Sequence, residues 1–303
     1  MSLHVFGAII THHGTAANNR GETDGNITTL QKILWKGQVH TTVSAEAVRF
    51  ALRRRLEEAE ETNRVWDEET RANTWQDPDF KQWKKKDADV YIDDDLLGFM
   101  SAPAAKEEGK AGKADVRRAV LEVSRAISLT PWSGDVTFNA ASVGATPSAA
   151  KKGANPVPYG TEVHATRYQY GFAMTPERLR EPGRAKTAVE GLVNLGHVAG
   201  NHGRFLFDFS PEAIVLRLTP DPAPRLLYCF ETDAAGQVFD APALVKRAKA
   251  GDIDPGEVIV GGTFPAAEEL KGLGAEVLDG VKAACGSAVE RLDKALKKEG
   301  ASS

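Results

Sequence analysis

Residues 162–174 alternate between two kinds of side chain. His164, Thr166, Tyr168, Tyr170, Phe172 and Met174 fall on one side, and Val163, Ala165, Arg167 and Gln169 on the other. A period of two belongs to a β-strand. A strand with so large an apolar face needs a covering layer. Two segments suit that role. Ser44 is an N-cap residue, Glu46 fits a first helical turn, and Val48, Leu52 and Leu56 then recur at i+4. Residues 184–199 form a second helical stretch, with Val189, Leu192, Val193 and Val198 as its apolar positions.

The remaining chain is read as follows. Residues 3–12 make a buried first strand, and 14–29 a polar, Asn- and Gly-rich loop. Residues 57–92 are dense in charge but hold Trp66, Trp75, Phe80 and Trp83, which predicts a packed helical excursion. Asp93-Asp94-Asp95 reads as a solvated turn, and 101–114 as a linker. A long strand is expected over 116–129. Residues 139–160 hold too little apolar material for a core of their own, so they protrude as a loop or hairpin. Further strands are expected at 205–209 and 214–218, a hairpin turn at 233–236, and mostly helix over 266–298. Without its insertions the order is βαββαβ, that of a ferredoxin-like or RRM-like α+β sheet.

Charge is unevenly spread. The net charge is −4, yet residues 1–55 carry seven Lys/Arg against three acids, and 56–79 carry nine acids against two arginines. One face can therefore bind phosphate while the whole protein stays acidic. Cys229 and Cys285 lack the spacing of a disulfide framework or zinc site, which suits a reducing cytoplasm. No leader-like or membrane-spanning apolar run is read. Among His12, His13, His40, His164, His197 and His202, no pair has zinc-helix spacing. Residues 196–203 follow a helix instead of opening one, unlike a nucleotide-binding loop. No catalytic set, metal or cofactor is expected.

Nucleic acid is the better candidate ligand. The capped helix start at Ser44 presents free amides and a positive dipole end. Arg49 and Arg53 share one stripe of that helix, and Lys32, Lys36, Gln38 and His40 lie just upstream around Trp35. Cations give affinity for phosphate, and an interleaved aromatic can stack on a base.

Several segments resemble one family. They are Asn18-Asn19-Arg20-Gly21-Glu22, the helix from Ser44 to Arg53, Asp95-Leu96-Leu97-Gly98-Phe99-Met100, the stretch from Ser124 through Arg125 and Trp132 to Asp135, and Glu162 to Tyr170. Together and in this order they look like the DevR-type backbone subunit of a type I, I-B-like CRISPR Cascade complex. That resemblance implies one RRM-like palm over 1–303. It also implies helical "fingers" inserted at 57–115, a β-hairpin "thumb" at 139–161, and a mostly helical C-terminal addition at 240–303. It implies a non-catalytic, cytoplasmic subunit of antiviral defence, forming a helical filament on guide RNA. Implied partners are the guide RNA, target DNA paired to it, copies of the chain arranged head to tail, and other Cascade subunits. RNA contacts would then include Asn18, Arg20, Gly98, Phe99, Arg125 and Trp132. The thumb would add Lys151 and Lys152 for phosphate, with Val143 or Tyr159 as a wedge. No RNP-type aromatic motif lies on the strands, so binding should follow the RNA backbone and not its sequence. The competing reading is a related metal-dependent endoribonuclease of the RAMP type, for which Asp24 and Asp95 are the candidate acids.

Overall fold

The computed structural model describes residues 2–86, 88–101, 115–145, 147–150 and 157–300. The expected linker at 101–114 lies almost wholly outside the described residues, as do Lys151 and Lys152.

The first strand, β1 (His4–Thr11), is buried on both faces, as its continuous apolar run requires. The stretch expected as a loop is instead extended: Gly14–Ala16, β2 (Asn19–Asp24) and β3 (Ile27–Leu30) are all strands. β2 and β3 pair with each other and β3 with a later hairpin, whereas Gly14–Ala16 pairs with His164–Thr166 and puts Ala16 in the core. β4 (Lys32–Trp35) and β5 (Gln38–Val43) form a hairpin turning on Lys36-Gly37, both with positive φ (49° and 82°). Two such residues match the right-handed twist of the strands. Helix α1 (Ala45–Leu56) follows, and it buries Val48, Ala51, Leu52 and Leu56.

The excursion departs from its expected helical form. It contains a hairpin of β6 (Arg64–Asp67) and β7 (Ala72–Trp75), a single turn at Lys81–Lys84, and a short helix α2 (Ile92–Leu97). The tryptophans pack on neighbouring rings: Trp66 is edge-on to Phe50 at 5.7 Å and Trp75 edge-on to Phe80 at 5.5 Å. Ring-on-ring contact across a ribbon serves as well as a helix face.

The expected long strand over 116–129 is broken. β9 (Asp115–Arg117) pairs with β8 (Phe99–Ser101), whereas Glu122–Val123 and β10 (Ala126–Ser128) join the main sheet. The protrusion is a hairpin of β11 (Val136–Ala141) and β12 (Val157–Glu162), in register from Val136↔Glu162 to Ala141↔Val157. β12 also runs parallel to β3. His164–Thr166 and β13 (Tyr168–Met174) carry the alternating aromatic face, and α3 (Arg184–Val193) covers it. Residues 205–209 form no strand; Phe207 and Phe209 instead cap the aromatic face, their rings 5.7 Å and 5.4 Å from Tyr168 and Tyr170.

After β14 (Pro211–Thr219), the C-terminal part is less purely helical than expected. The 233–236 turn is present, joining Glu231–Thr232 to Phe239–Asp240. Helices α4 (Pro242–Lys249), α5 (Pro265–Gly272) and α6 (Val281–Gly300) alternate with β15 (Val258–Gly261) and β16 (Glu276–Leu278). These two strands extend the sheet, because Val258–Gly261 is buried throughout and needs two apolar faces.

The main sheet runs β16-β15-β14-β1-β13-β10-β5-β4. β1 is antiparallel to both neighbours, with Val5↔Met174 on one side and His4↔Thr219 on the other. Taken alone, β1, α1, β10, β13, α3 and β14 follow the strand-helix-strand-strand-helix-strand order and stand side by side as β14-β1-β13-β10. On one face α1, α3 and α6 cover Val5, Ile9, Tyr168, Tyr170 and Phe172. On the other, α4 and α5 cover Phe6, Ala8, Ile10, Val215 and Val260. Among the described residues, no helix is long and apolar enough to cross a membrane.

Candidate nucleic-acid interface

The start of α1 is built as its sequence suggests. Ser44 is buried, and its Oγ accepts from the backbone N–H of Ala47 at 3.2 Å. Just before it, Thr42 is held from two sides. Its carbonyl accepts from Asn18 Nδ2, and its Oγ1 accepts from Arg125 Nη1 at 3.2 Å. Asn18 Oδ1 in turn accepts from the Tyr168 hydroxyl at 3.3 Å. Asn18 and Arg125 thus meet at the strand that delivers the helix. Glu46, exposed in the first turn, is held below the usual carboxylate range, chiefly by its own backbone N–H, with Ser44, Arg125 and Arg49 adding to it.

Beside this helix start opens a cleft of about 680 Å³. Arg49 and Arg53 line it from α1, Arg64 from β6 and Arg117 from β9, with Glu46 as the one acid among the described residues of its wall. Burial lowers the pKa of Arg49 and of Arg64, and Arg53 adds to both shifts by repulsion. Such crowding of cations at a partly dry surface favours an incoming anion. The Nε atoms of Arg64 and Arg117 are buried with no protein acceptor. Met100 and Val116, directly paired across β8 and β9, are 71% and 64% exposed at the same cleft.

Gly98 makes the cleft possible. It has φ 65°, and a Cβ there would sit 2.3 Å from the Arg117 carbonyl oxygen. Only glycine allows the chain to leave α2 this close to β9. Phe99 is buried and stacks on Phe80 at 3.8 Å, with Trp83 edge-on, so it serves as the floor beneath the arginines.

The acidic triplet is a correction to the sequence reading. Asp93, Asp94 and Asp95 are buried in α2, not solvated in a turn. Asp93 accepts from Arg53 Nε at 2.9 Å and from the backbone N–H groups of Asn63 and Arg64. Asp95 accepts from Arg117 Nη2 at 2.9 Å, Arg184 Nη1 at 3.1 Å, and the N–H groups of Arg180 and Glu181. Among the described residues, Asp94 accepts from the side chain of Asn63 alone, at 2.9 Å. Burial, with Asp93 alongside, pushes Asp94 up to about 7. Asp93 and Asp95 therefore orient the arginines. Arg53 and Arg117 reach the cleft with their guanidinium groups anchored from behind.

The other sequence candidates lie elsewhere. Lys32 forms an ion pair with Glu162 at 2.7 Å and rests 4.1 Å from the Trp132 ring centre. Trp132 donates from Nε1 to the Val163 carbonyl at 2.9 Å. Lys36 and Gln38 are exposed at the β4–β5 turn, and Trp35 packs on Tyr228 at 5.2 Å. His40 is buried and donates from Nδ1 to the Ser128 carbonyl at 2.8 Å. His164 is buried against Thr41, and burial pushes it down to about 4, so it stays neutral. Arg20 lies in β2, away from these contacts in sequence. On the hairpin, Val143 is 55% exposed, whereas the Tyr159 ring has Arg204 over it at 4.8 Å. Among the described residues, no group of three or more His, Cys, Asp or Glu could hold a metal ion.

Sequence reasoning missed Arg64 and Met100, which come from the insertion, and Val116 and Arg117, which follow it in β9. It also missed Phe138, 76% exposed on β11. The only local signal was the Arg117-Arg118 pair following the 101–114 stretch.

Residues 7–227 match the family described as CRISPR-associated negative auto-regulator DevR/Csa2. A protein of Myxococcus xanthus (strain DK1622), described as CRISPR-associated protein Cas7/Cst2/DevR, is 63% identical over 298 residues, spanning 97% of this chain and 99% of its own. Two solved structures share the fold at low identity. A chain titled "CRISPR RNA-guided surveillance complex" has TM-score 0.56 at 16% identity, covering 95% of this chain and 99% of that one. Another, titled "CRISPR RNA-guided surveillance complex, pre-nicking", has TM-score 0.58 at 14% identity, covering 95% and 100%. With its family motifs spread along the sheet and around the arginine cleft, this chain belongs to the DevR/Csa2 family of CRISPR-associated proteins.

Proposed function

We propose that the protein is a guide-RNA-binding backbone subunit of a type I, I-B-like Cascade complex, built on an RRM-like palm. The observation that carries this reading is the cleft where Arg49, Arg53, Arg64 and Arg117 converge beside the capped start of α1. Four guanidinium groups beside the positive end of a helix suit consecutive phosphates, and no base-reading set is needed. Residues 57–115 act as fingers, 139–161 as the thumb, and 240–303 widen the palm by two strands and their helices. Asn18, Arg125 and Ser44 position the helix start. Lys32, Lys36, Gln38, His40 and Trp132 form a flank toward the β4–β5 edge, and Arg20, Val143, Lys151 and Lys152 act from the insertions. Copies arranged head to tail along the RNA in the cytoplasm, with other Cascade subunits, would present the guide for pairing with target DNA. The subunit itself is non-catalytic in this reading. Asp95 has its lone pairs committed to two arginines and two backbone amides, which leaves it poorly placed to serve a metal.

The test uses Arg49→Gln, because Arg53 also neutralises a buried carboxylate and its loss would confound binding with folding. Arg49→Gln should weaken binding of single-stranded RNA and flatten its salt dependence by about 0.7 in log–log slope. The thermal midpoint should fall only slightly, from loss of the Arg49 Nη2 bond to the Leu97 carbonyl, while the salt slope reports the lost phosphate contact. Unchanged affinity and slope would remove the cleft from the RNA path.

A further inference from the structure

The cleft at α1 does not end at β9. Val116, Arg117 and Ala119 line both it and a second cavity of about 470 Å³, whose other walls include Trp83, Arg118 and Arg178. A third cavity, of about 310 Å³, shares Arg118 and Arg178 with the second and continues toward Met174 and Leu227. The three cavities lie next to one another, each sharing wall residues with the next.

Among the described residues, the second cavity has three arginines and no acid in its wall. Its floor is rigid. Arg117 and Arg180 each lie 4.1 Å from the Trp83 ring centre, and both are bonded inward, Arg117 to Asp95 and Arg180 to the carbonyls of Trp83 and Lys85. The outer two cations are free to exchange partners. Arg118 pairs at 2.7 Å with Glu122, and their side chains are 84% and 50% exposed. Such a surface pair is worth about 0–1 kcal/mol, so a phosphate can replace it. Arg178 is exposed, and no described carboxylate pairs with it. Nothing in the assignment of the α1 cleft requires these two residues.

We propose that the second cavity extends the nucleic-acid track, with Arg118 and Arg178 holding phosphates of a single strand after it leaves the α1 cleft. This rests on the RNA-binding reading above. The ligand chemistry is a single-stranded phosphodiester backbone, which guide RNA and an unpaired DNA strand share.

The full chain, freed of nucleic acid, is titrated with oligo-uridine RNA and with oligo-thymidine DNA over a range of salt. Arg118→Gln/Arg178→Gln should bind several-fold more weakly at physiological salt. Its log–log salt slope should be shallower by about 1.4, from two lost phosphate contacts. Arg118→Lys/Arg178→Lys should keep the slope, and the thermal midpoint should not move in either variant. An effect on the RNA probe assigns the track to the guide, and an effect on the DNA probe alone assigns it to the other strand. If both probes bind the Gln variant as they bind the wild type, while Arg49→Gln weakens them, the extension is wrong and the α1 reading stands. Failure of the wild type to bind either probe overturns both.

Discussion

Asp94 is the buried carboxylate with the weakest support, having Asn63 alone where its neighbours each have an arginine. Its carboxyl titrates near 7 when folded and at the ordinary 3.8 when unfolded. Between those values the folded state binds the extra proton, so the stability this residue supplies at low pH is lost as pH rises toward 7. Asp94→Asn should remove that loss. In urea unfolding, the variant should match the wild type near pH 4 and exceed it above pH 7, by an amount on the order of 3 kcal/mol. A difference that does not grow with pH would mean that Asp94 is ionised throughout. At Gly98 the constraint is steric. Gly98→Ala combines a positive φ with a Cβ driven into the Arg117 carbonyl, and should cost about 3 kcal/mol in the same assay.

At the scale of elements, legibility followed locality. The alternation in β13 and the capped, i+4-spaced α1 could be read because their period and signals lie within a few residues. The hairpin at 233–236 was legible for the same reason, through its turn residues. The insertion was misread as helical because its order comes from distant partners: Asp95 is satisfied by Arg184, 89 positions away, and Trp66 by Phe50. The site was half legible. Of the residues lining the cleft, Arg49, Arg53 and Gly98 stood among the sequence candidates, but Arg64 and Arg117 enter it through strand pairings that no local pattern encodes. The β11–β12 hairpin extends the same argument to assembly. Its exposed Phe138 and Val143 have no counterpart core in the chain, so they suit burial against a neighbouring copy and RNA. Replacing residues 143–156 with a short Gly-Ser bridge keeps every ladder pair of the hairpin. The product should remain a folded monomer that forms no long, regular assemblies on RNA in negative-stain images; filaments like those of the wild type would reduce the thumb to a loop.

For the whole molecule, the proposed head-to-tail contact, if it does not close on itself, would give a helical filament whose length the RNA sets. Native purification should therefore recover RNA of defined length, left intact on incubation with Mg²⁺. A discrete cut abolished by Asp24→Ala would move the protein to the endoribonuclease reading. The order of the sheet also governs how the chain is made. β1 leaves the ribosome first, yet its two partners, β13 and β14, end at Met174 and Thr219. At about 5–20 residues per second, that leaves β1 with both edges unpaired for on the order of ten seconds or longer. For that interval the nascent chain displays an apolar ribbon whose sheet partners are not yet made, a stage at which exposed strand edges invite aggregation.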